Sequence, residues 1–351
     1  MENFNPNDIG LPNGNFFALP YRVDESEIIL ISAPWDVTAS YRPGTANAPR
    51  RIIKASSQID LYDSDVENAW KIKIGTQPYN EEIFNESVEF RKKAEKVMEH
   101  LANGGNISDI SISHKLDLIN KVSEKLNSWI YERSKKYCEE GKIVGIVGGE
   151  HSVPFGLIKL LSEKYDSLGI LHIDAHADLR RAYEGFEYSH ASIMYNVITK
   201  CTNIAKLVQV GIRDFCNAEA DFISRSDKIK SYTDFYISEQ LFGGEQTWKS
   251  ICDEITGNLP ENVYVSFDID GLSPELCPNT GTPVPGGLSF QQAHYLLQTL
   301  SKSGRRIAGF DVCEVAPNPC NDNDEFDANV GARILYKICC LTHLSNINRQ
   351  R

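Results

Sequence analysis

Three short segments of the chain combine acidic residues and histidines at the ends of apolar runs. They are Gly-Gly-Glu-His at 148–151, Asp-Ala-His-Ala-Asp at 174–178 and Asp-Ile-Asp at 268–270. Their candidate metal ligands are two imidazoles and four carboxylates, those of His151, Asp174, His176, Asp178, Asp268 and Asp270. Such an oxygen-rich set suits Mn²⁺ and similar divalent ions, whereas a structural zinc site favours thiolates. Paired metal ions ionise a bridging water at neutral pH, so the sequence predicts hydrolysis.

Each segment also has a plainer explanation when it is taken alone. Acids in a surface loop are often simply solvated, Asp-x-Asp pairs arise by chance, and His151 could be a core histidine. Three such segments in one chain, each after an apolar run, favour the metal site. His172 lies inside one of those runs, and we interpret it as packing rather than as a ligand.

The elements that precede these segments indicate a parallel sheet. Short apolar runs at 28–31, 143–147, 168–173, 207–210, 263–267 and 307–310 read as buried strands, with helical stretches between several of them. This alternation predicts an α/β fold with a mostly parallel central sheet covered on both faces. Ligands of such sheets gather at the carboxyl ends of the strands, so the three segments are expected to converge there.

The helical stretches do not suggest a second domain. We predict helices near 82–103 and 115–139, and another over 289–303 that opens with a Ser289–Gln292 capping box. No convincing domain boundary is visible, so we expect a single domain over 1–351 that contains an enlarged helical insertion at about 60–140.

Composition narrows the class of function. The net charge of −12 lacks the basic surface that nucleic-acid binding requires. The nine cysteines are scattered and odd in number, as expected for reduced thiols in a cytoplasmic protein. The N-terminus lacks the pattern of a secretion signal, and no apolar stretch is long enough for a membrane span. We therefore expect neither a nucleic-acid nor a membrane partner.

The segments resemble the signature motifs of the ureohydrolases, the superfamily of arginase, agmatinase, guanidinobutyrase and formimidoylglutamase. The resemblance extends from Ser32 to about Lys337 and is weak over 60–140. It includes Pro-Trp-Asp at 34–36, Ser-Tyr-Arg-Pro-Gly at 40–44, Ser-Phe-Asp-Ile-Asp-Gly-Leu-Ser-Pro at 266–274 and Thr-Gly-Thr-Pro at 280–283. It implies a three-layer α/β/α, arginase-like fold and a hydrolase that cleaves a guanidino C–N bond to release urea.

The resemblance also implies roles for single residues. One Mn²⁺ would be held by His151, Asp174, Asp178 and Asp268, and a second by Asp174, His176, Asp268 and Asp270. Ligand type alone also allows Ni²⁺, Co²⁺ or Zn²⁺. His190 matches the proton-shuttling histidine of the family, and Glu314 matches the glutamate that pairs with the guanidinium.

The motif around 178–190 resembles that of bacterial and archaeal agmatinases. Glu187 and Ser189 stand where arginases hold the amino-acid end of arginine, and an acidic residue there favours a cationic tail. We therefore expect agmatine, converted to putrescine, as substrate. Arginine, guanidinobutyrate or another guanidino acid, free guanidine and formimidoylglutamate remain alternatives. The resemblance further implies a homo-oligomer, trimer or hexamer.

Two hypotheses of other classes stand beside this one. A non-catalytic scaffold would be free to lose ligands, yet the ligand set is complete. A dinuclear phosphoesterase would also use paired metals. No cluster of Lys or Arg adjoins the acidic motifs, however, and Gly148–Gly149 is not a phosphate-binding loop.

Overall fold

The core of the protein is one eight-stranded sheet in which every strand pair is parallel. The computed structural model describes residues 4–347. The strands are β1 (Ile28–Ala33), β2 (Ile74–Thr76), β3 (Ile143–Gly148), β4 (Leu168–Ile173), β5 (Ile204–Ile212), β6 (Ile229–Thr233), β7 (Asn262–Asp268) and β8 (Arg306–Cys313). Their order across the sheet is β2-β1-β3-β8-β7-β4-β5-β6.

Helices cover both faces of this sheet. They are α1 (Ala48–Ser56), α2 (Glu81–Ala102), α3 (Ile110–Glu139), α4 (Phe155–Lys164), α5 (Ile193–Lys200), α6 (Asn217–Arg225), α7 (Asp234–Phe242), α8 (Trp248–Gly257), α9 (Phe290–Lys302) and α10 (Phe326–Ile347). On one face α1, α10, α9 and α8 pack in succession, and on the other α2, α3, α4 and α5 do so. This is the three-layer α/β/α fold that the sequence predicted. None of the helices between residues 4 and 347 is long and apolar enough to cross a membrane.

Alternation along the strands divides the buried side chains between two cores. In β1, Ile28 and Leu30 join the core beneath α1 and α10, whereas Ile29 and Ile31 join the core beneath α2 and α3. Successive side chains of a strand point to opposite faces, so a strand that is buried on both faces must be apolar throughout. This explains the uninterrupted apolar runs in the sequence.

The predicted elements are present, with differences at their ends. Helix α3 begins at Ile110 rather than near 115, and the Ser289–Gln292 capping box of α9 is formed in both directions. Strands β2 and β6 lie at the two edges of the sheet and were not predicted. Because β2 pairs with β1, the segment 60–140 contributes a strand as well as the helices α2 and α3.

Candidate active site

Four neighbouring central strands, β3, β8, β7 and β4, present polar residues at their carboxyl ends. His151 lies three residues after β3, and Asp174 follows β4 directly. Asp268 is the last residue of β7, and Glu314 follows β8 directly. Parallel strands end at the same edge of a sheet, so the fold brings these residues together.

The first part of the cluster surrounds the imidazole of His151. Its Nδ1 lies 3.0 Å from Asp174 Oδ2, 3.3 Å from Asp178 Oδ2 and 3.3 Å from Asp268 Oδ2. All four side chains are buried. The backbone of Asp178 is left-handed, with φ of 54°, a conformation that Asp tolerates better than most residues. Three carboxylates thus face one imidazole nitrogen.

The second part of the cluster surrounds His176. Its Nδ1 lies 3.0 Å from Asp270 Oδ2 and 3.5 Å from Asp174 Oδ1. Asp174 therefore directs one carboxylate oxygen towards each histidine and lies between the two parts. The six side chains that the sequence singled out as ligands form one continuous cluster, which we call the cage.

Hydrogen bonds behind the cage orient His151. Its Nε2 lies 2.9 Å from Ser266 Oγ, which in turn donates to Asp311 Oδ2 at 2.8 Å. Because the hydroxyl proton of Ser266 is used by Asp311, Ser266 accepts a hydrogen bond from His151 Nε2–H. Burial disfavours a charged imidazole here, but the hydrogen bonds to Asp174, Asp178 and Asp268 outweigh it and raise the pKa of His151 well above its usual range. With Nε2 directed at Ser266, Nδ1 is the nitrogen that would bind a metal ion.

His172 backs Asp174 in the same way. Its Nε2 lies 2.8 Å from Asp174 Oδ2, and its Nδ1 lies 3.0 Å from Gln209 Nε2. The amide of Gln209 can only donate through Nε2, so the Nδ1 of His172 accepts and its Nε2 donates to Asp174. His172 thus has a specific partner in the cage and is more than packing. Its ring nitrogen also lies close enough to His151, Asp174 and Asp178 for a shared metal ion, so its interpretation as a non-ligand stays a prediction.

The electrostatics of the cage fit a pair of cations. Burial raises the pKa of Asp178 to about 6, and the charge of Asp174 adds to this effect. Burial, followed by the charges of Asp270 and Asp174, raises the pKa of Asp268 well above its usual range. Buried like charges disfavour one another, and divalent cations are their natural counter-charges. The donor set of four carboxylates and two imidazoles therefore suits two divalent ions.

His190 lies beside the cage in the turn His190–Ser192. Its backbone N–H donates to Thr38 Oγ1 at 3.1 Å, and its Nδ1 and Nε2 lie 3.4 Å from Thr38 Oγ1 and 3.5 Å from Ser40 Oγ. Burial and then the charge of His176 lower the pKa of His190 to about 3. The imidazole is therefore neutral at physiological pH.

Thr38 is held in turn by Glu150, whose side chain is fully buried. The backbone N–H of Thr38 donates to Glu150 Oε2 at 2.7 Å, and its hydroxyl donates to Glu150 Oε1 at 2.9 Å. Burial raises the pKa of Glu150 to about 7. Since the hydroxyl proton of Thr38 is used by Glu150, Thr38 can only accept from His190, so the Nδ1 of His190 carries the proton and its Nε2 does not.

Glu314 lines the same pocket as His190. Its Oε1 accepts the backbone N–H of His151 at 2.7 Å, and Thr280 Oγ1 donates to its carbonyl oxygen at 2.7 Å. Its backbone is left-handed, with φ of 62°. Burial and then the charge of Glu150 raise the pKa of Glu314 well above its usual range, so a cation placed beside it would be favoured.

The structure does not bring Glu187 or Ser189 into this pocket, contrary to their prediction as substrate ligands. Glu187 is exposed and forms an ion pair with Lys200 at 2.6 Å. Ser189 is buried, and its hydroxyl caps the turn at His190 by accepting the N–H of Ala191 at 3.2 Å. Neither side chain lines the pocket, although the Ser189 hydroxyl lies 3.4 Å from His190 Nδ1, and sequence position alone could not show this.

A pocket of about 140 Å³ opens over the cage. Its outer wall, which we call the rim, consists of Ser40, Arg180, Tyr183, Asp214, Glu219 and Thr282. Sequence reasoning assigned none of these residues a role. A signal existed for Asp214, because it follows the apolar run of β5 as the cage residues follow theirs. Ser40 and Thr282 lie inside the motifs at 40–44 and 280–283, which was a signal, whereas nothing distinguishes Thr38 from an ordinary loop residue.

Comparison with known proteins gives a consistent assignment. The family model described as "Arginase family" matches residues 26–340. The N(1)-aminopropylagmatine ureohydrolase of Thermus thermophilus is 28% identical over 299 residues, 85% of each chain. The agmatinase of Bacillus anthracis is 28% identical over 296 residues, 84% of this chain and 85% of the relative.

The fold has close neighbours among solved structures. A hypothetical agmatinase from Burkholderia thailandensis superposes with a TM-score of 0.68 at 22% identity, covering 99% of this chain and 94% of the other. The resemblance that the motifs carried is thereby confirmed: the chain belongs to the arginase family and is a ureohydrolase enzyme.

Proposed function

We propose that this protein is a binuclear metal-dependent hydrolase that cleaves a C–N bond of a guanidino compound and releases urea, with agmatine as substrate and putrescine as the second product. The convergence of six ligand side chains beneath one narrow pocket supports this proposal most directly. The pocket also carries Glu314 and His190 on its walls, where a small cation could contact both.

The cage side chains divide naturally between two ions. His151, Asp174, Asp178 and Asp268 would hold one, and Asp174, His176, Asp268 and Asp270 would hold the other. Two bound divalent cations supply a strongly acidified water as nucleophile at neutral pH. Mn²⁺ suits the mostly oxygen ligands, and Ni²⁺, Co²⁺ and Zn²⁺ are compatible with the imidazoles.

Glu314 would bind the substrate's guanidinium group. A planar cation with forked N–H donors matches a carboxylate, and its charge offsets the cost of ionising a buried acid. This contact would hold the guanidinium carbon above the cage. Because the Oε1 of Glu314 is already fixed by the N–H of His151, the carboxylate has little freedom to rotate.

His190 would move the proton that the leaving amine requires. Its neutral imidazole has an unprotonated Nε2, which can take up a proton when water adds to the guanidinium carbon. The same nitrogen can then give that proton to the amine as the C–N bond breaks. Thr38 keeps Nδ1 as the donor nitrogen throughout, so only Nε2 exchanges protons.

The rim supports a cationic substrate tail. It carries two acids, Asp214 and Glu219, against one cation, Arg180. The Arg180 Nε lies 3.6 Å from Glu219 Oε2, so part of its charge is already matched. Agmatine, whose tail ends in an ammonium group, fits this excess of negative charge. Glu187 no longer supports agmatine, because its carboxylate pairs with Lys200 outside the pocket.

The position of Arg180 also favours a second candidate substrate, a guanidino acid. Its guanidinium lies over the Tyr183 ring at 4.8 Å from the ring centre, at the mouth of the pocket. A carboxylate tail such as that of 4-guanidinobutyrate could pair with it. Assembly as a trimer or hexamer and Mn²⁺ as the native metal remain predictions of the family resemblance, and a cytoplasmic location remains a prediction from the scattered cysteines.

The deciding experiment measures urea release from agmatine, 4-guanidinobutyrate, arginine and guanidine. Each is tested with metal-free protein and with protein loaded with Mn²⁺. We expect urea from the loaded protein alone, and more from agmatine than from the other three. Release of no urea from any of them would remove the proposed function, whereas a preference for 4-guanidinobutyrate would select the second candidate.

A further inference from the structure

We propose that segment 60–140 positions His190: helices α2 and α3 hold, from outside the pocket, the two loops that contact this histidine. The inference rests on the proposed role of His190 in proton transfer. Among residues 4–347, none that lines the pocket belongs to segment 60–140, so any effect of these helices on the reaction must pass through other residues.

The first loop, residues 36–46, carries Thr38 and Ser40, the two hydroxyls beside the His190 ring. Its first residue, Asp36, exchanges two hydrogen bonds with Ser87 of α2. The Asp36 N–H donates to Ser87 Oγ at 3.1 Å, and that hydroxyl donates to Asp36 Oδ1 at 3.3 Å. The other Asp36 oxygen accepts the N–H of Gly44 at 2.8 Å, which closes the loop on itself.

Arg91, one turn further along α2, holds the same loop by its backbone. Its Nη1 donates to the carbonyl oxygens of Asp36 and Val37 at 3.3 and 3.5 Å and to that of Ala39. The side chain is only 11% exposed, and its Nε pairs with Glu95 at 3.1 Å. A buried cation on the carbonyls that flank Thr38 leaves the Thr38 hydroxyl little room to shift.

The second loop, residues 183–189, leads directly into His190 and lies on α3. Asn120 Nδ2 donates to the carbonyl of Gly185 at 3.2 Å, and Asn120 Oδ1 accepts the N–H of Glu187 at 2.8 Å. A Cβ at Gly185 would lie 2.5 Å from Ile107 Cδ1 and 3.0 Å from Leu116 Cδ1, so the loop touches these side chains directly. The amide of Asn120 therefore fixes the loop on both sides of Phe186.

The contacts of the His190 ring explain why such support matters. Its ring nitrogens meet hydroxyls only at 3.4–3.5 Å, near the limit of a hydrogen bond. No β-strand carries the histidine, since it lies between the loop 183–189 and helix α5. The start of α5 is fixed to the backbone of Asp178 by the N–H groups of Met194 and Tyr195, so the two loops set the remaining freedom of the His190 ring. A displacement of about 1 Å in a proton donor can lower a rate by about a hundredfold.

The test compares Arg91→Met and Asn120→Leu with two matched variants. Arg91→Lys keeps a cation that can reach the carbonyls. Lys125→Met removes an exposed ion pair to Glu86 (2.8 Å) that joins α3 to α2 without touching either loop. Backbone hydrogen exchange is measured for residues 36–46 and 183–189, together with kcat, KM and Mn²⁺ content.

We expect amide exchange to rise about tenfold in 36–46 for Arg91→Met and in 183–189 for Asn120→Leu. In both, kcat should fall about tenfold to a hundredfold with KM and Mn²⁺ content within twofold of the wild type. Arg91→Lys should recover most of the loss, and Lys125→Met should match the wild type in every measurement.

The inference is overturned if exchange in the loops stays unchanged, or if Lys125→Met lowers kcat as much as Arg91→Met does. It is also overturned if KM rises in parallel with the fall in kcat. Failure of the proposed function would look different: the wild type would release no urea, while the exchange measurements, which need no turnover, would still show whether the helices hold the loops.

Discussion

The cage and the rim of the pocket are built in different ways. Cage residues lie within a few positions of the ends of β3, β4 and β7, are mostly buried, and are backed by further hydrogen bonds such as those of Ser266 and His172. Most rim residues come from loops and short turns, although Glu219 lies in helix α6, and Arg180 is 40% exposed. Ala182 and Glu184, whose backbones are left-handed, bend the loop beside Arg180.

This difference separates reaction class from substrate choice. A sheet whose strands end together holds a metal cage within narrow limits, while loops above it can change without disturbing the sheet. We therefore propose that the cage determines that a guanidino bond is hydrolysed, and that the rim determines which guanidino compound enters. Variants in the cage should therefore lose the reaction itself, whereas variants in the rim should change the preference for one substrate over another.

The largest effect is expected for Asp268→Asn in the cage. Loss of a carboxylate that would be a ligand of both ions should lower urea release by about a thousandfold, several kcal/mol of transition-state stabilisation. The metal-free variant should nevertheless be at least as stable as the metal-free wild type, because burial, and then the charges of Asp270 and Asp174, disfavour the ionised form of Asp268. Thermal unfolding with and without Mn²⁺, together with metal analysis, checks both expectations.

Asp327→Asn provides the control for this variant. Asp327 is also buried, and it accepts hydrogen bonds from Asn279 away from the cage. It should keep the full metal content of the wild type. A cage variant that still binds two ions per chain would contradict the role of Asp268 as a ligand.

A smaller effect is expected from the titration of His190, which lies between the two regions. This titration should lower the stability of the protein at acidic pH. Its pKa is about 3 in the folded protein against an ordinary value of 6.5. Above pH 6.5 the ring is neutral in both states and contributes no pH dependence. Below it the unfolded chain takes up a proton that the folded protein does not, so stability falls with pH until about pH 3.

Comparison of the wild type with His190→Gln isolates this contribution. Between pH 7.5 and pH 5 the metal-free wild type should lose up to about 2 kcal/mol more unfolding free energy than the variant. Urea denaturation at the two pH values measures the difference. An equal loss in both proteins would mean that His190 is protonated in the folded state.

The smallest effect is expected at the rim, for Arg180→Met. Removing this cation should improve kcat/KM for agmatine relative to 4-guanidinobutyrate by about tenfold, close to 1.4 kcal/mol, because an opposing charge at the mouth is lost. Initial rates with the two substrates give the ratio. Glu187→Gln, outside the pocket, should leave the ratio unchanged; a shift there would restore Glu187 as a substrate ligand.

The sequence predicted the cage residues because their position depends on two simple rules. An apolar run marks a strand, and polar residues directly after parallel strands meet at one edge. Asp174 and Asp268 follow their strands with no intervening loop, so nothing could displace them. His190 lies on a turn and could not be found in this way. Glu314 also follows its strand directly, but the apolar run of β8 ends at residue 310 in the sequence, so the roles of both residues came from the resemblance to the family.

The sequence predicted the rim residues poorly, because the local sequence pattern does not determine the direction in which a loop runs. Glu187 lies three residues from His190, yet the turn capped by Ser189 directs its carboxylate to Lys200 instead of the pocket. The edge strands were missed for a related reason. Strand β2 has only three residues, too few for a periodic pattern, and its identity depends on pairing with β1.

The order of strands has a consequence for how the protein matures. Strand β8, the last to be synthesised, inserts between β3, which leads to His151, and β7, which ends in Asp268. A nascent chain that stops before residue 306 has nothing to bridge these two strands. High-affinity metal uptake should therefore be a property of the finished polypeptide and not of its growing forms on the ribosome.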